Sequence, residues 1–418
     1  MASSNSKRAS SPLADLPSDL LGLVLSRLYS LADRVRVGAL PPPMPWVALG
    51  DGDYLDIGND RVYKLRDLQI GDDAFVVGSA GHLLFLIRRD RGGCFLADPF
   101  SGAVLPLADL AFFLQEQFRD EMLSLTQSCD GLTVDKVVAH WPHGSSAEPV
   151  VAALLTDKNC KDRKIIFVCR AGANTGVSRE SYGAMSVEID FAEDITFFRG
   201  NLYVVTDYKH LFLVELGEGS GGNPAISNIK RVITEDWSAA LRGNSDDDDD
   251  DYGGSDDDNE GNKWCPFILD NPALLAADEV YLVESGGQLL LIERWCNCYD
   301  ESSESTRGFV VCKADLDASP CRWTKMHSLD GRALFLGRCG SKSVAAGAGA
   351  GDGDGHSGPR GDCIYFIRDG GDESGVYDMW YDCMISRRLS TLERRRHWFE
   401  WIRTWVFSDR SASGSGRF

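Results

Sequence analysis

Apolar residues along this chain come in short runs, each opened by a turn glycine and closed by a polar corner. Gly81-His82-Leu83-Leu84-Phe85-Leu86-Ile87 is the first such run. Gly200-Asn201-Leu202-Tyr203-Val204-Val205, Gly287-Gln288-Leu289-Leu290-Leu291-Ile292 and Gly361-Asp362-Cys363-Ile364-Tyr365-Phe366-Ile367 repeat it. Runs of four to six apolar residues bounded by glycine and polar residues predict buried β-strands. Thr196-Phe197-Phe198 before Gly200, and His210-Leu211-Phe212-Leu213-Val214-Glu215 after it, extend one unit to a three-strand meander. Lys164-Ile165-Ile166-Phe167-Val168-Cys169 is apolar throughout, the pattern of an inner strand covered on both faces. The glycines are separated by 119, 87 and 74 residues, small multiples of the ~40–50 residues of a propeller blade once insertions are allowed for. A parallel α/β fold needs a helical pattern between strands, and only Asp109 to Gln117 supplies one. The pattern predicts an all-β domain, with the blade number left open by the divergent stretch from 105 to 160.

Ahead of this domain the period changes. Leu16-Pro17 opens a helix, with Pro17 at its first position and Ser18 and Asp19 favouring the free amides of the first turn. Leu20, Leu21, Val24, Leu25 and Leu28 then recur at helical spacing. One helix cannot bury such a stripe alone, so it either packs on the following domain or docks on a partner helix. Asp33-Arg34-Val35-Arg36 begins a second helix, which Pro41-Pro42-Pro43 ends.

The Leu-Pro-x-Asp-Leu-Leu start and the Asp-Arg-x-Arg second helix resemble the beginning of an F-box, shortened by the three prolines. Met44-Pro45-Trp46-Val47, Arg61-Val62-Tyr63-Lys64-Leu65, Asp98-Pro99-Phe100-Ser101-Gly102, Phe335-Leu336-Gly337-Arg338, Ser341 to Val344 and Cys363-Ile364-Tyr365-Phe366 follow in order. These blocks resemble the kelch-like domain of unknown function that follows the F-box in many plant proteins. The resemblance implies a kelch-like β-propeller over 44–383 preceded by partial F-box helices over 14–40, with 1–13 disordered. It implies a substrate-recognition subunit of an SCF-type ubiquitin ligase. Leu16, Pro17, Leu20, Leu21, Val24, Leu28 and Val35 would contact a Skp-type adaptor, the cullin would join through that adaptor, and the propeller would hold a protein target. The alternative is an F-box-derived interaction scaffold without ligase association.

Composition narrows the function further. The net charge is −20, and half of it comes from Asp246 to Asp251, Asp256 to Asp258 and Glu260. An acidic chain of this kind is unsuited to binding a phosphate backbone, so no nucleic-acid partner is expected. Residues 217–262 combine Gly, Ser and Asp, and residues 345–361 are mostly Gly and Ala. Both read as disordered insertions. The 12 cysteines include no Cys-x-x-Cys pair and read as reduced thiols. No apolar run reaches the ~18 residues of a membrane span, so no membrane partner is expected and the location is read as cytoplasmic, nuclear or both.

Candidate chemistry is sparse. His140 and His143 are separated by Pro142, which breaks the helix that would align them on a metal. Gly353-x-Gly355-x-x-Gly358 precedes a strand and opens no helix, unlike a dinucleotide site, and Asp352 and Asp354 lack the remaining ligands of a calcium loop. No catalytic residue, metal site or cofactor is expected, and the protein is read as a non-enzyme. The tail, 384–418, is basic and aromatic: six arginines and two glutamates lie between Arg387 and Arg403, interleaved with Trp398, Phe399 and Trp401. It forms either a strand over Trp401 to Phe407 that closes the last blade or an exposed docking helix.

Overall fold

The computed structural model describes residues 44–407 except 49–52, 58–60, 65–73, 89–92, 100, 122–131, 143–147, 158–159, 173–181, 220–221, 235–274, 298–305, 347–357, 369–372 and 387–403. Six small sheets follow one another in chain order and make a six-bladed β-propeller. The first blade holds β1 (Trp46–Ala48), β2 (Asp53–Asp56) and β3 (Arg61–Lys64). The second is β4 (Ala74–Ala80), β5 (Leu83–Arg88), β6 (Cys94–Ala97) and β7 (Val104–Pro106), followed by helix α1 (Ala108–Glu121). The third contains β8 (Leu132–His140), β9 (Val150–Asp157), β10 (Cys160–Arg170), the single turn α2 (Tyr182–Met185) and β11 (Ser186–Glu188). The fourth is β12 (Ala192–Phe198), β13 (Asn201–Thr206), β14 (Leu211–Glu218) and β15 (Pro224–Ile233). The fifth is β16 (Leu275–Ser285), β17 (Gln288–Asn297), β18 (Thr306–Asp315) and β19 (Arg322–Lys325). The sixth is β20 (Arg332–Leu336), β21 (Lys342–Ala345), β22 (Cys363–Ile367), β23 (Ser374–Asp378) and β24 (Cys383–Ser386).

The apolar runs are explained by where each face goes. On β5, Leu83 and Phe85 enter the core shared with the third blade, while Leu84 and Leu86 enter the one shared with the first. On β17, Leu289 and Leu291 face the fourth blade and Leu290 and Ile292 the sixth. On β22, Ile364 and Phe366 face the fifth blade and Cys363, Tyr365 and Ile367 the first. A strand sandwiched between two blades has no solvent face, so both halves of its two-residue period are apolar.

Several details depart from the sequence reading. The run from Lys164 to Cys169 lies on β10, third from the axis, and is not an inner strand. Its second cover is α1, whose Phe113 stacks on Phe167 at 4.5 Å between ring centroids. The predicted helix at Asp109 to Gln117 is therefore present as α1 and has a packing role. Residues 217–262 are not wholly an insertion, because 224–233 form the outer strand β15, paired to β14 from Pro224 to Ile233. Its Ser227, Asn228, Lys230 and Arg231 are exposed, and an outer strand needs few apolar residues to stay in place. Most of 345–361 lies outside the described residues. In the sixth blade β20 is wedged between β21 and β22 and runs parallel to β22, an order the sequence does not signal.

The ring closes through a strand from the far end of the chain. β25 (Thr404–Val406) pairs antiparallel with β1, matching Trp46 to Val406, Val47 to Trp405 and Ala48 to Thr404. Trp405 is fully buried against Phe335 and donates its indole N–H to the Leu336 carbonyl at 2.9 Å. A terminal strand is thus present at Thr404–Val406, but it completes the first blade and not the last, because its edge partner is β1; Trp401 lies outside the described residues.

Candidate functional site

Inner strands β8, β12 and β16 each carry a β-bulge near their starts, at Asp135, Glu193 and position 278. A bulge adds a residue and re-aims its neighbours. Here the bulges lie beside charged residues of the inner strands, Lys136, Asp194 and Glu279. Lys136 and Asp194 form a buried ion pair at 2.6 Å. The Asp194 carboxylate also accepts the amides of Ile195 and, from the next blade, Leu282. One side chain thereby ties the third, fourth and fifth blades together. Burial pushes its carboxyl above the ordinary range, against the pull of Lys136 and the two amides. Beside it, Lys164 donates to Asp135 at 3.1 Å and to Thr156 at 2.8 Å. Burial also raises Glu193, opposed by Lys164 and Arg338.

A second charged set links the fifth and sixth blades. Arg294, fully buried, lies against Glu279 at 3.3 Å and Glu373 at 3.4 Å, and donates to Thr306. Glu373 in turn accepts the Thr306 amide and hydroxyl. Two carboxylates thus flank the buried guanidinium and balance its charge.

The loop between β20 and β21, Gly337 to Ser341, crosses the axis at this end. The Cys339 carbonyl accepts the Ser79 amide of β4 at 3.0 Å. Arg338 reaches the opposite side, where it lines an open pocket of about 400 Å³ with Glu193, Asp194, Glu279, Val280 and Tyr281. The Phe335-Leu336-Gly337-Arg338 block noted in the sequence therefore ends in an axial plug. Gly340 is required by space: a Cβ there would sit 2.2 Å from the Ser79 hydroxyl and 3.1 Å from that of Thr404. Gly340→Ala should displace the plug and lower stability by about 1–3 kcal/mol, read as a shifted urea midpoint with an unchanged slope.

The other end is built from the first hairpin turn of each blade. Gly81, Gly200 and Gly287 hold these turns at positive φ (69°, 80° and 82°), which explains the glycine that opens three of the four runs; in the fourth, Asp362 and not Gly361 takes positive φ (56°). His82 stacks on Trp141 across the second and third blades, and Arg199 donates to the Gly287 carbonyl across the fourth and fifth. In the sixth blade the β23–β24 turn joins the same end, since Met379 donates to the Asp362 carbonyl and Asp362 to that of Arg332. That turn presents Trp380 and Tyr381, 75 % and 72 % exposed. The sequence signal for it was two aromatics in Asp378-Met379-Trp380-Tyr381-Asp382, where a tight turn favours Gly or Asn.

The predicted adaptor contacts Leu16, Pro17, Leu20, Leu21, Val24, Leu28 and Val35 all lie outside the described residues, as does His143. His140 stacks on Phe197. Among the described residues no group of three His, Cys, Asp or Glu side chains is placed to hold a metal ion, and no helix is long and apolar enough to cross a membrane. Burial pushes the Cys94 thiol up to about 12 and raises Cys169 as well, which removes both as nucleophiles near neutral pH.

Among solved structures, the chain is similar to the Dos1 propeller (10% identity over 82% of this chain and 73% of that chain, TM-score 0.27). It is also similar to apo AztD from Citrobacter koseri (8% identity over 90% of this chain and 100% of that chain, TM-score 0.26). Likenesses this distant carry no functional argument. A search of the curated proteins gives no match. The model of the KIB1-4 beta-propeller family, however, matches residues 54–378, from the second strand of the first blade to the last residue of β23, and the chain therefore belongs to the KIB1-4 β-propeller family.

Proposed function

We propose that this protein is the substrate-recognition subunit of an SCF-type ubiquitin ligase and performs no chemistry itself. The observation that carries the reading is the apolar stripe Leu20, Leu21, Val24 and Leu28, opened by Leu16-Pro17 and attached just ahead of a closed six-bladed propeller. A propeller offers two loop-built ends for holding a protein, which fits an interaction role. The amino-terminal helices dock on a Skp-type adaptor, and a cullin joins through that adaptor. The target, held on the propeller, is then kept at high effective concentration near the charged ubiquitin carrier.

The test is co-purification of the full chain with a Skp-type adaptor and cullin, followed by direct titration with the adaptor. Leu20→Asp with Leu21→Asp should abolish the interaction, since a buried unpaired carboxylate costs several kcal/mol. The propeller's melting temperature should not move. Absence of adaptor binding by the wild type would leave a binding scaffold without ligase association.

A further inference from the structure

Six large apolar side chains are exposed among the described residues, and three of them, Trp380, Tyr381 and Ile385, lie within six positions on the β23–β24 hairpin. The described outer strands of other blades present different chemistry: β15 exposes Ser, Asn, Lys and Arg, and β19 buries its Trp323. The turn is also rigid. One Asp378 oxygen accepts both the Trp380 amide at 2.9 Å and the Tyr381 amide at 3.2 Å. The Tyr377 hydroxyl donates to the Asp382 carboxylate on the far side of the turn. Two large rings are thus held in solvent on a fixed backbone, the preorganised form that aromatic anchors take in interfaces.

Among the described residues of these turns, carboxylates outnumber cations. Asp330, Asp362 and Asp382 lie on the turns that meet here, joined through Ser328 and the Asp362 backbone. Of the described cations nearby, Arg332 donates to Ser343, while Arg360, itself exposed, faces Asp378 of the same turn at 3.7 Å. Rings with a negative face beside carboxylates attract guanidinium and ammonium groups.

We infer that the Trp380–Tyr381 turn is the anchor by which this propeller takes its target, and that it binds an Arg- or Lys-rich segment of that target. The inference rests on the proposed target-holding role and names the site and the chemistry of the partner. It is tested with the full-length protein and a fluorescein-labelled peptide of alternating Arg and Ser, followed by anisotropy; the same peptide with Glu for Arg is the control. The Arg peptide should bind saturably and more weakly as salt rises. Trp380→Ala with Tyr381→Ala should weaken it by about tenfold, with an unchanged melting temperature because both side chains are exposed. Trp380→Phe with Tyr381→Phe should retain most of the affinity. Equal binding by the Ala variant would place the peptide elsewhere, such as on the 246–260 acidic run, and overturn the inference. So would equal binding of the Glu peptide, or co-sedimentation of the wild type with phosphatidylcholine vesicles that the Ala variant loses. Adaptor titration of the same variants separates the two proposals: it should be unaffected by the turn, and its failure in the wild type would leave the peptide result standing.

Discussion

Trp405→Ala is expected to lower stability by about 3–5 kcal/mol, the range for removing a buried aromatic that leaves a cavity. Trp405 is the middle residue of the closing strand, packs edge-on to Phe335 with centroids 5.0 Å apart, and has its N–H on the Leu336 carbonyl. Its neighbours come from the first and sixth blades, so the cavity opens at the joint between them. Trp405→Phe separates the contributions: it keeps most of the volume but leaves a buried carbonyl without its donor, at about 1–3 kcal/mol. Urea denaturation of the three proteins decides the matter. A loss below 1 kcal/mol for the Ala variant, on a scale where a buried Phe or Trp costs several, would mean that the ring stays closed without this strand.

A comparable loss, about 3–5 kcal/mol, is expected for Asp194→Ala, which strands a buried lysine charge. It also leaves the Ile195 and Leu282 amides without their acceptor. Asp194→Asn should recover little, because the Lys136 charge still lacks a counter-ion. Combining it with Lys136→Met should recover part of the loss, and the non-additivity in a double-mutant cycle measures the pair itself. Additive effects would show that the two side chains act independently despite their 2.6 Å contact.

These two residues also mark what the sequence discloses and what it does not. The closing strand was legible as the apolar run Trp405, Val406 and Phe407, but its place was not: the sequence pointed to the last blade, whereas it pairs with β1, at the opposite end of the chain, on the edge that β2 leaves open. Three of the glycine-led strands were legible because a tight turn with positive φ favours glycine, at Gly81, Gly200 and Gly287. Asp194 was not legible. It lies in an ordinary-looking Glu193-Asp194, and its importance comes from a bulge and from a lysine and an amide on two other blades. The plug was visible only as a motif without a purpose, because its partners Ser79 and Thr404 are 325 residues apart. The parallel pairing of β20 and β22 was hidden because strand order leaves no mark on local periodicity.

The pairing of β1 with β25 imposes an order in time. During synthesis β1 emerges early, with one edge unpaired and Val47 and Ala48 lacking cover, and its partner is made only after all the other blades. Contacts this distant in sequence are slow to form, and open strand edges are prone to wrong pairings meanwhile. Each new chain therefore passes through a long interval as an open arc before it becomes a ring. The amino-terminal stripe from Leu16 to Leu28 leaves the ribosome ahead of that arc, so under the proposed function adaptor capture and completion of the propeller are separated by the translation of nearly the whole domain.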